Sequence, residues 1–390
     1  MRIVQTVFGV FHHFELAREL ERRGHLEKVY STWPWARLKR EGLAQERVGT
    51  FPWVHVPEYA LHRFGDKWPW MTDQLGYANA LLFDDWTLRQ MRRLKERPDA
   101  VVALAGSSLK AGRWLQAEGG RFVCDRGSTH ARWQERILNE EYRRWGVEAP
   151  ASDERDVARE VEIYAAADGI TVASEFARRS YVEEGVPAEK VHVIPYGVGL
   201  ESFTPAAEAL GGATFEVLFV GHVSLRKGVP YLLEAFAKLR SPGKKLRVVG
   251  GIEPGMRKVL GRLPVEDVEF LGTQPREKVV EWMQRSHVLV LPSVEDGFGL
   301  VMAEAMACGC PVIASTHTGS DELYTNGVEG FVVGVRDVEA MAERMQRMAD
   351  DRALQGAMRA AALERVRQIG GWAEYGERWE NLLRAMTGVD

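Results

Sequence analysis

Short runs of apolar, mostly β-branched residues recur along the chain, separated by amphipathic stretches with helical spacing. Runs at 3–7, 100–104, 121–124, 169–172 and 191–194 predict one series of strands, and runs at 216–220, 245–249, 268–271, 288–291, 311–314 and 330–333 predict a second. Helical patterns stand between many of them, as at 14–23, 229–239, 276–285 and 300–307. Strands alternating with helices imply an α/β protein with parallel sheets covered on both faces. The pattern breaks at TPAAEALGGAT (204–214), where Pro205, Gly211 and Gly212 precede a new strand. Two α/β units of similar size facing a cleft are therefore expected. They divide as 1–205 and 206–371, with an amphipathic segment at 372–390 packing back across the joint.

Composition narrows the class. The 390 residues suffice for two cores, and 45% hydrophobic with 27% charged residues is the balance of a soluble globular chain. Lys+Arg total 51 against Asp+Glu 55, a net charge of −4, which argues against duplex nucleic acid held by phosphate neutralisation. Apolar runs reach only strand length. The opening MRIVQTVFGVFHHFELARELERRGH is interrupted by His12 and His13 and has no small-residue cleavage site, so it is not expected to be a secretory signal. Cys124, Cys308 and Cys310 match neither a disulfide framework nor a zinc knuckle, and a cytoplasmic setting is expected.

Two motifs in the second half carry chemistry. In Phe219-Val-Gly-His-Val-Ser-Leu-Arg-Lys-Gly228, Gly221 ends a strand and Arg226 and Lys227 stand before a helix. Unpaired N–H groups and fixed cations at such a point suit a diphosphate. Neither a Walker loop nor the G-x-G-x-x-G dinucleotide fingerprint is present here. The second motif, Leu291 to Ser315, reads as buried strand, glycine loop, short helix and strand. Gly297 and Gly299 free its backbone, and the N–H groups of Phe298 to Leu300 lie at a helix start. Asp296 and Glu304 are two acceptors for the hydroxyls of a polyol.

Asp296-Gly-Phe-Gly-Leu…Glu304-Ala-Met-Ala-Cys-Gly-Cys-Pro-Val resembles the acid-x(7)-Glu signature of glycosyltransferase family 4, the retaining GT-B group. VGHVSLRKGVPYLLEAF (220–236) is similar to that family's diphosphate loop, and ADGITVASEFARRSYVEEGVPAEKVHVIPYGV (167–198) to the end of its first domain. The resemblance implies two Rossmann-like domains, with a nucleotide-sugar donor on the second and an acceptor on the first. It gives Glu304 to the ribose, Asp296 with the 297–300 backbone to the transferred sugar, Arg226 and Lys227 to the departing diphosphate, and Gly272 and Thr273 to the base. It requires neither metal nor cofactor. The first acid is usually glutamate, so Glu295 remains a rival to Asp296. Arginine usually follows the strand-end glycine, where this chain has His222, and Arg226 is expected to compensate.

In the first half, Gly9, His12 and His13 follow the first strand, and a doubly wound sheet binds ligands at that end. Two adjacent histidines at a helix start are expected to diverge, so that only one serves the site. Cys124-Asp-Arg-Gly-Ser-Thr-His130 follows another strand. The resemblance favours His130 as a catalytic histidine, with Asp125, Arg126 and Ser128 as rivals, while Ser128 or Thr129 as a helix cap is the plainer reading. Nine of the 12 tryptophans precede residue 146: Trp33, Trp35, Trp53, Trp68, Trp70, Trp86, Trp114, Trp133 and Trp145. Core packing explains most of them. Sugar stacking, or contact of 33–40 and 89–97 with anionic lipid, is the second reading. The expected activity is transfer of a sugar from a UDP- or GDP-linked donor to a glycan, lipid-linked sugar or small metabolite. A sugar-nucleotide epimerase and a non-catalytic nucleotide-sugar-binding subunit are the rivals.

Overall fold

In the computed structural model, residues 1–63, 69–150, 153–206 and 214–389 are described. Among the described residues, thirteen strands make up two sheets. The first contains β1 (Ile3–Val7), β2 (Leu26–Ser31), β3 (Val48–Thr50), β4 (Ala100–Leu104), β5 (Arg121–Asp125), β6 (Gly169–Val172) and β7 (Val191–Val193). The second contains β8 (Glu216–Val220), β9 (Lys245–Val249), β10 (Val268–Gly272), β11 (Val288–Leu291), β12 (Val312–Ser315) and β13 (Gly330–Val333). Their orders are β3-β2-β1-β4-β5-β6-β7 and β10-β9-β8-β11-β12-β13, and every described pairing is parallel.

Helices on both faces bury the central strands completely, which is why β1, β11 and β12 read as continuous buried runs. The pattern did not predict β2 and β3. Charged Glu27 and Lys28 interrupt the apolar run of LEKVYS, and VGT has three residues with a central glycine. Gly49 is needed there, since a Cβ would lie 2.4 Å from the Tyr30 ring.

In each sheet the strand order reverses beside the first strand, between β1 and β4 and between β8 and β11. Such a switch point opens a crevice at the strands' carboxyl ends. The two crevices meet. Gly297 approaches the first unit so closely that a Cβ would lie 2.2 Å from the Gly127 carbonyl oxygen. Ser174 Oγ donates to the Gly297 carbonyl at 2.5 Å, and buried Glu141 accepts from Tyr231 (2.6 Å) and Arg336 (2.7 Å) of the second unit.

The helix Trp372–Thr387 returns to lie along His13–Arg22. Gly376 permits that crossing, because a Cβ there would lie 2.5 Å from Glu19 Cβ, and Glu380 fixes it by pairing with Arg23 and His25. The joint segment 207–213 and Trp68 lie outside the described residues, as does the side chain of Trp70. Among the described residues no helix is long and apolar enough to cross a membrane.

Candidate active site

Two loops of the second unit are zipped together by their backbones. Gly228, at φ +68°, caps the helix Val229–Lys238 against Pro292, whose carbonyl oxygen would lie 2.0 Å from an added Cβ. The Arg226 carbonyl accepts from Val294 N at 2.8 Å and Glu295 N at 3.3 Å. This register sets the two cations beside the two acids. Arg226 Nε donates to Glu295 at 2.6 Å, and Lys227 Nζ pairs with Asp296.

The two acids have different surroundings. Glu295 is fully buried, and besides Arg226 it accepts from Ser128 Oγ (2.7 Å), Thr129 Oγ1 (2.9 Å) and Gln134 Nε2 (2.8 Å), all from the first unit. Burial alone would raise its pKa, but the Arg226 charge and these hydrogen bonds hold it at about 2. Its contribution to stability is therefore complete above its ordinary value of 4.5 and is lost as pH falls toward 2. Glu295→Ala leaves a guanidinium and three donors without their acceptor. Arg226 keeps 35% of its side chain exposed, which places the expected cost at about 3 kcal/mol, the low end for a broken buried pair. A lower urea midpoint at pH 7 than wild type, with the gap narrowing below pH 4.5 and closing only toward pH 2, checks this. Asp296, by contrast, meets Lys227 at the mouth of the glycine loop.

Gly299, at φ +74°, starts the helix Leu300–Ala307, and Phe298 is buried beneath the turn. Glu304 lies in that largely buried helix. Burial raises its pKa to about 7, with Arg276 only partly opposing the shift. The loops after β8, β9 and β10 converge nearby: a Cβ on Gly251 would lie 3.7 Å from Thr273 Oγ1 and 3.9 Å from His222 Nδ1. His222 and Thr273 are exposed, and Gly221 and Gly272 form the strand-end turns behind them.

On the facing side, Gly9 adopts φ +76° and is tied to β2 through Thr32 (3.0 Å) and Ser31 (2.7 Å). The expected divergence of His12 and His13 is not what the structure has. Both rings turn to Asp125 Oδ2, at 2.7 and 3.3 Å, with ring centroids 4.4 Å apart. The turn from loop to helix directs both imidazoles at the end of β5, where Thr171 Oγ1 also donates to Asp125 at 2.8 Å. Burial and neighbouring His12 lower the His13 pKa to about 3, so its imidazole is neutral. The ligand atoms of His12, His13 and Asp125 lie within 4.8 Å of one another, a set able to hold a metal ion.

His130 is placed differently from the expectation for a catalytic group. Its ring packs on Tyr164 (4.9 Å) and Tyr181 (5.2 Å) and is 2% exposed, and burial lowers its pKa to about 4. Nor do Ser128 or Thr129 cap the following helix Ala131–Trp145, whose N-cap is His130; both hydroxyls go to Glu295. Arg126 pairs with Glu160 rather than with an acid of the second unit. Sequence reasoning missed Gln134, Ser174 and Tyr196. The Tyr196 ring lies between His12 (4.5 Å) and Phe298 (5.2 Å), and its place in the IPYGV stretch was the available signal.

Two family models match the chain: "Glycosyltransferase Family 4" over residues 10–202 and "Glycosyl transferases group 1" over 203–365. A D-inositol 3-phosphate glycosyltransferase of Streptomyces avermitilis is 34% identical over 243 residues, covering 55% of this chain and 51% of that one. The protein with the same description from Mycolicibacterium smegmatis is 30% identical over 207 residues, covering 49% and 47%. The matched stretch thus spans about half the length of these curated relatives.

Among solved structures, sucrose-phosphate synthase from Thermosynechococcus elongatus superposes with TM-score 0.74 at 21% identity, over 100% of both chains. Anabaena Alr3699/HepE, solved in complex with UDP and glucose, gives 0.69 at 17% identity, over 99% of this chain and 100% of that one. Two parallel-sheet units joined in this way form the GT-B fold. With both models matched in order along one chain, the protein belongs to the group 1 glycosyltransferases of family 4.

Proposed function

We propose that the protein is a retaining glycosyltransferase that moves a sugar from a nucleoside-diphosphate donor to a hydroxyl acceptor. The observation that carries this is the pairing of Arg226 and Lys227 with Glu295 and Asp296. It places two cations, with Asp296 paired to Lys227, between two helix starts at the switch point of the second sheet. In this reading the donor belongs to 206–371, the acceptor to 1–205, and 372–390 straps the two together. UDP bound to the Anabaena protein of the same fold is consistent with such a donor.

Each residue has a task in the reaction. Glu304 accepts the ribose hydroxyls, and Asp296 with the Gly297–Leu300 backbone holds the sugar, exchanging part of its Lys227 contact for sugar hydroxyls. Glu295, saturated by the first unit, acts as the clasp between domains, which leaves Asp296 as the acid for the sugar. As the bond from the anomeric carbon to the β-phosphate oxygen breaks, its electron pair goes to the diphosphate. Arg226, Lys227 and the N–H groups of both helix starts stabilise that charge. The acceptor oxygen attacks from the same face, and its proton passes to the departing phosphate oxygen. His12 and Asp125 border the acceptor side. The chemistry needs no metal, and a cytoplasmic setting suits a nucleotide-sugar donor.

A transfer assay with chelator present tests the reading. Incubation with UDP- and GDP-sugars and mixed acceptors should yield a product with the donor's anomeric configuration, read by proton NMR. An epimerase would convert the donor without acceptor, and a binding subunit would neither transfer nor hydrolyse it. Activity lost to chelator and restored by a divalent ion would overturn the metal-free mechanism and direct attention to His12, His13 and Asp125.

A further inference from the structure

In the first sheet, strand β4 lies between β1 and β5. The loop after β1 therefore spans the switch-point crevice to bring His12 and His13 to Asp125, the last residue of β5. The nitrogen and oxygen atoms that these three residues can offer to a metal all lie within 4.8 Å of one another.

Three features separate this cluster from an ordinary ion pair. His13 is fully buried, and neither of its ring nitrogens has a hydrogen-bond partner among the described residues, although Nε2 stands 3.3 Å from Asp125 Oδ2. A neutral imidazole offers one donor and one lone pair, buried polar groups are normally satisfied, and here both go unused. Asp125 is buried as well. Among the described residues no lysine or arginine pairs with it, so only imidazoles face its charge. Lastly, the donors are held in place from outside. Thr171 Oγ1 donates to Asp125 Oδ1 at 2.8 Å, which leaves Oδ2 to the two rings, and the His12 ring lies against Tyr196 at 4.5 Å. Gly127 confines that ring on another side, since a Cβ there would lie 3.6 Å from His12 Cε1. Supporting contacts of this kind orient the ligands of a metal.

We infer that His12, His13 and Asp125 bind one divalent transition-metal ion of the zinc type. Two imidazole nitrogens with one carboxylate oxygen suit Zn²⁺, Co²⁺ or Ni²⁺, whereas Mg²⁺ and Ca²⁺ favour oxygen ligands. His12 keeps 12% of its side chain exposed, so the ion enters on that side and completes its coordination there with water. It joins the start of the helix His13–Arg22 to the end of β5, beside Gly127, whose carbonyl meets Gly297 of the second unit. Arg226 and Lys227 already answer the charge of the leaving group, so the ion belongs to the first unit's loop and not to the transfer step.

Zn²⁺ titrated by calorimetry into metal-stripped, nucleotide-free protein at neutral pH is expected to bind one ion per chain and to raise the thermal midpoint, while Mg²⁺ does neither. His12→Ala, at the partly exposed ligand, should weaken Zn²⁺ binding at least about tenfold, since losing even an outer-shell partner typically costs that much, and His13→Gln should do the same. His55→Ala, which removes a histidine paired with Glu58 instead, should leave binding unchanged. Absence of stoichiometric binding, equally tight binding in His12→Ala, or binding lost in His55→Ala would each overturn the inference. A measurement on the wild-type chain decides the matter even where the ligand variants fail to fold. The Co²⁺ form should show paramagnetically shifted ring protons from two histidines by proton NMR, removed by one equivalent of Zn²⁺, and a spectrum without them would overturn the site. None of these measurements uses a sugar donor, so their failure leaves the transferase reading standing.

Discussion

Lys227→Ala is expected to lower transfer by about 10²–10³-fold, the usual loss when one preorganised partner of a developing anion is removed. Lys227 stands at a helix start, is 19% exposed, and is held in place by Asp296. When the diphosphate departs, that ammonium is already positioned and partly desolvated, so little reorganisation is needed. Removing it also leaves Asp296 without its cation, so stability must be measured alongside activity. A variant with a thermal midpoint near wild type and activity reduced only a few-fold would show that Lys227 is not part of the leaving-group machinery. Lys227→Arg, which retains charge but not shape, should recover part of the rate.

The second large effect concerns Glu304, where function and stability are expected to oppose one another. Its folded pKa is raised from 4.5 to about 7 by burial in the helix Leu300–Ala307. For an acid raised in this way, the folded state is favoured while the group is protonated. The penalty begins as pH passes 4.5, where the unfolded chain ionises, and is complete above 7. The shift corresponds to roughly 3 kcal/mol. Glu304→Gln should therefore stabilise the empty protein by up to about 3 kcal/mol at pH 8 and by less than about 1 kcal/mol at pH 5, read by urea unfolding. The same change removes the charged acceptor for ribose hydroxyls. Donor affinity in wild type should rise through pH 7, and in the variant it should be weak and flat. A variant no more stable than wild type at pH 8 would mean that Glu304 already has a compensating partner.

Much of this arrangement was legible from residue types alone. Buried β-branched runs alternating with amphipathic stretches located eleven of the thirteen strands, because a parallel sheet buried on both faces leaves a strong local signal. Strand β2, whose apolar run is broken by two charges, and the three-residue edge strand β3 lacked it. The glycine loops around Gly228 and Gly299 were readable because a positive φ or a close backbone approach leaves little choice of residue.

What sequence could not provide is partnership across the joint. Whether Glu295 or Asp296 faces the sugar turns on Ser128, Thr129 and Gln134, more than 160 residues away in the chain, which enclose Glu295 completely. His130 shows the same limit. It follows a strand that ends at the crevice, yet the helix it starts turns its ring under Tyr164 and Tyr181. His12 and His13 meet at Asp125 because the distant β5 places one carboxylate within reach of both rings.

The central claim, that Arg226, Lys227, Asp296 and Glu304 form the site of a nucleotide-sugar donor, is tested most directly by thermal unfolding with UDP, GDP, ADP and their common sugar conjugates in the presence of chelator. Stabilisation by one diphosphate family is predicted, about 2.7 kcal/mol at a hundredfold excess over Kd, and it should disappear in Lys227→Ala. A folded wild-type protein that none of these ligands stabilises, or one stabilised equally in Lys227→Ala, would contradict the account.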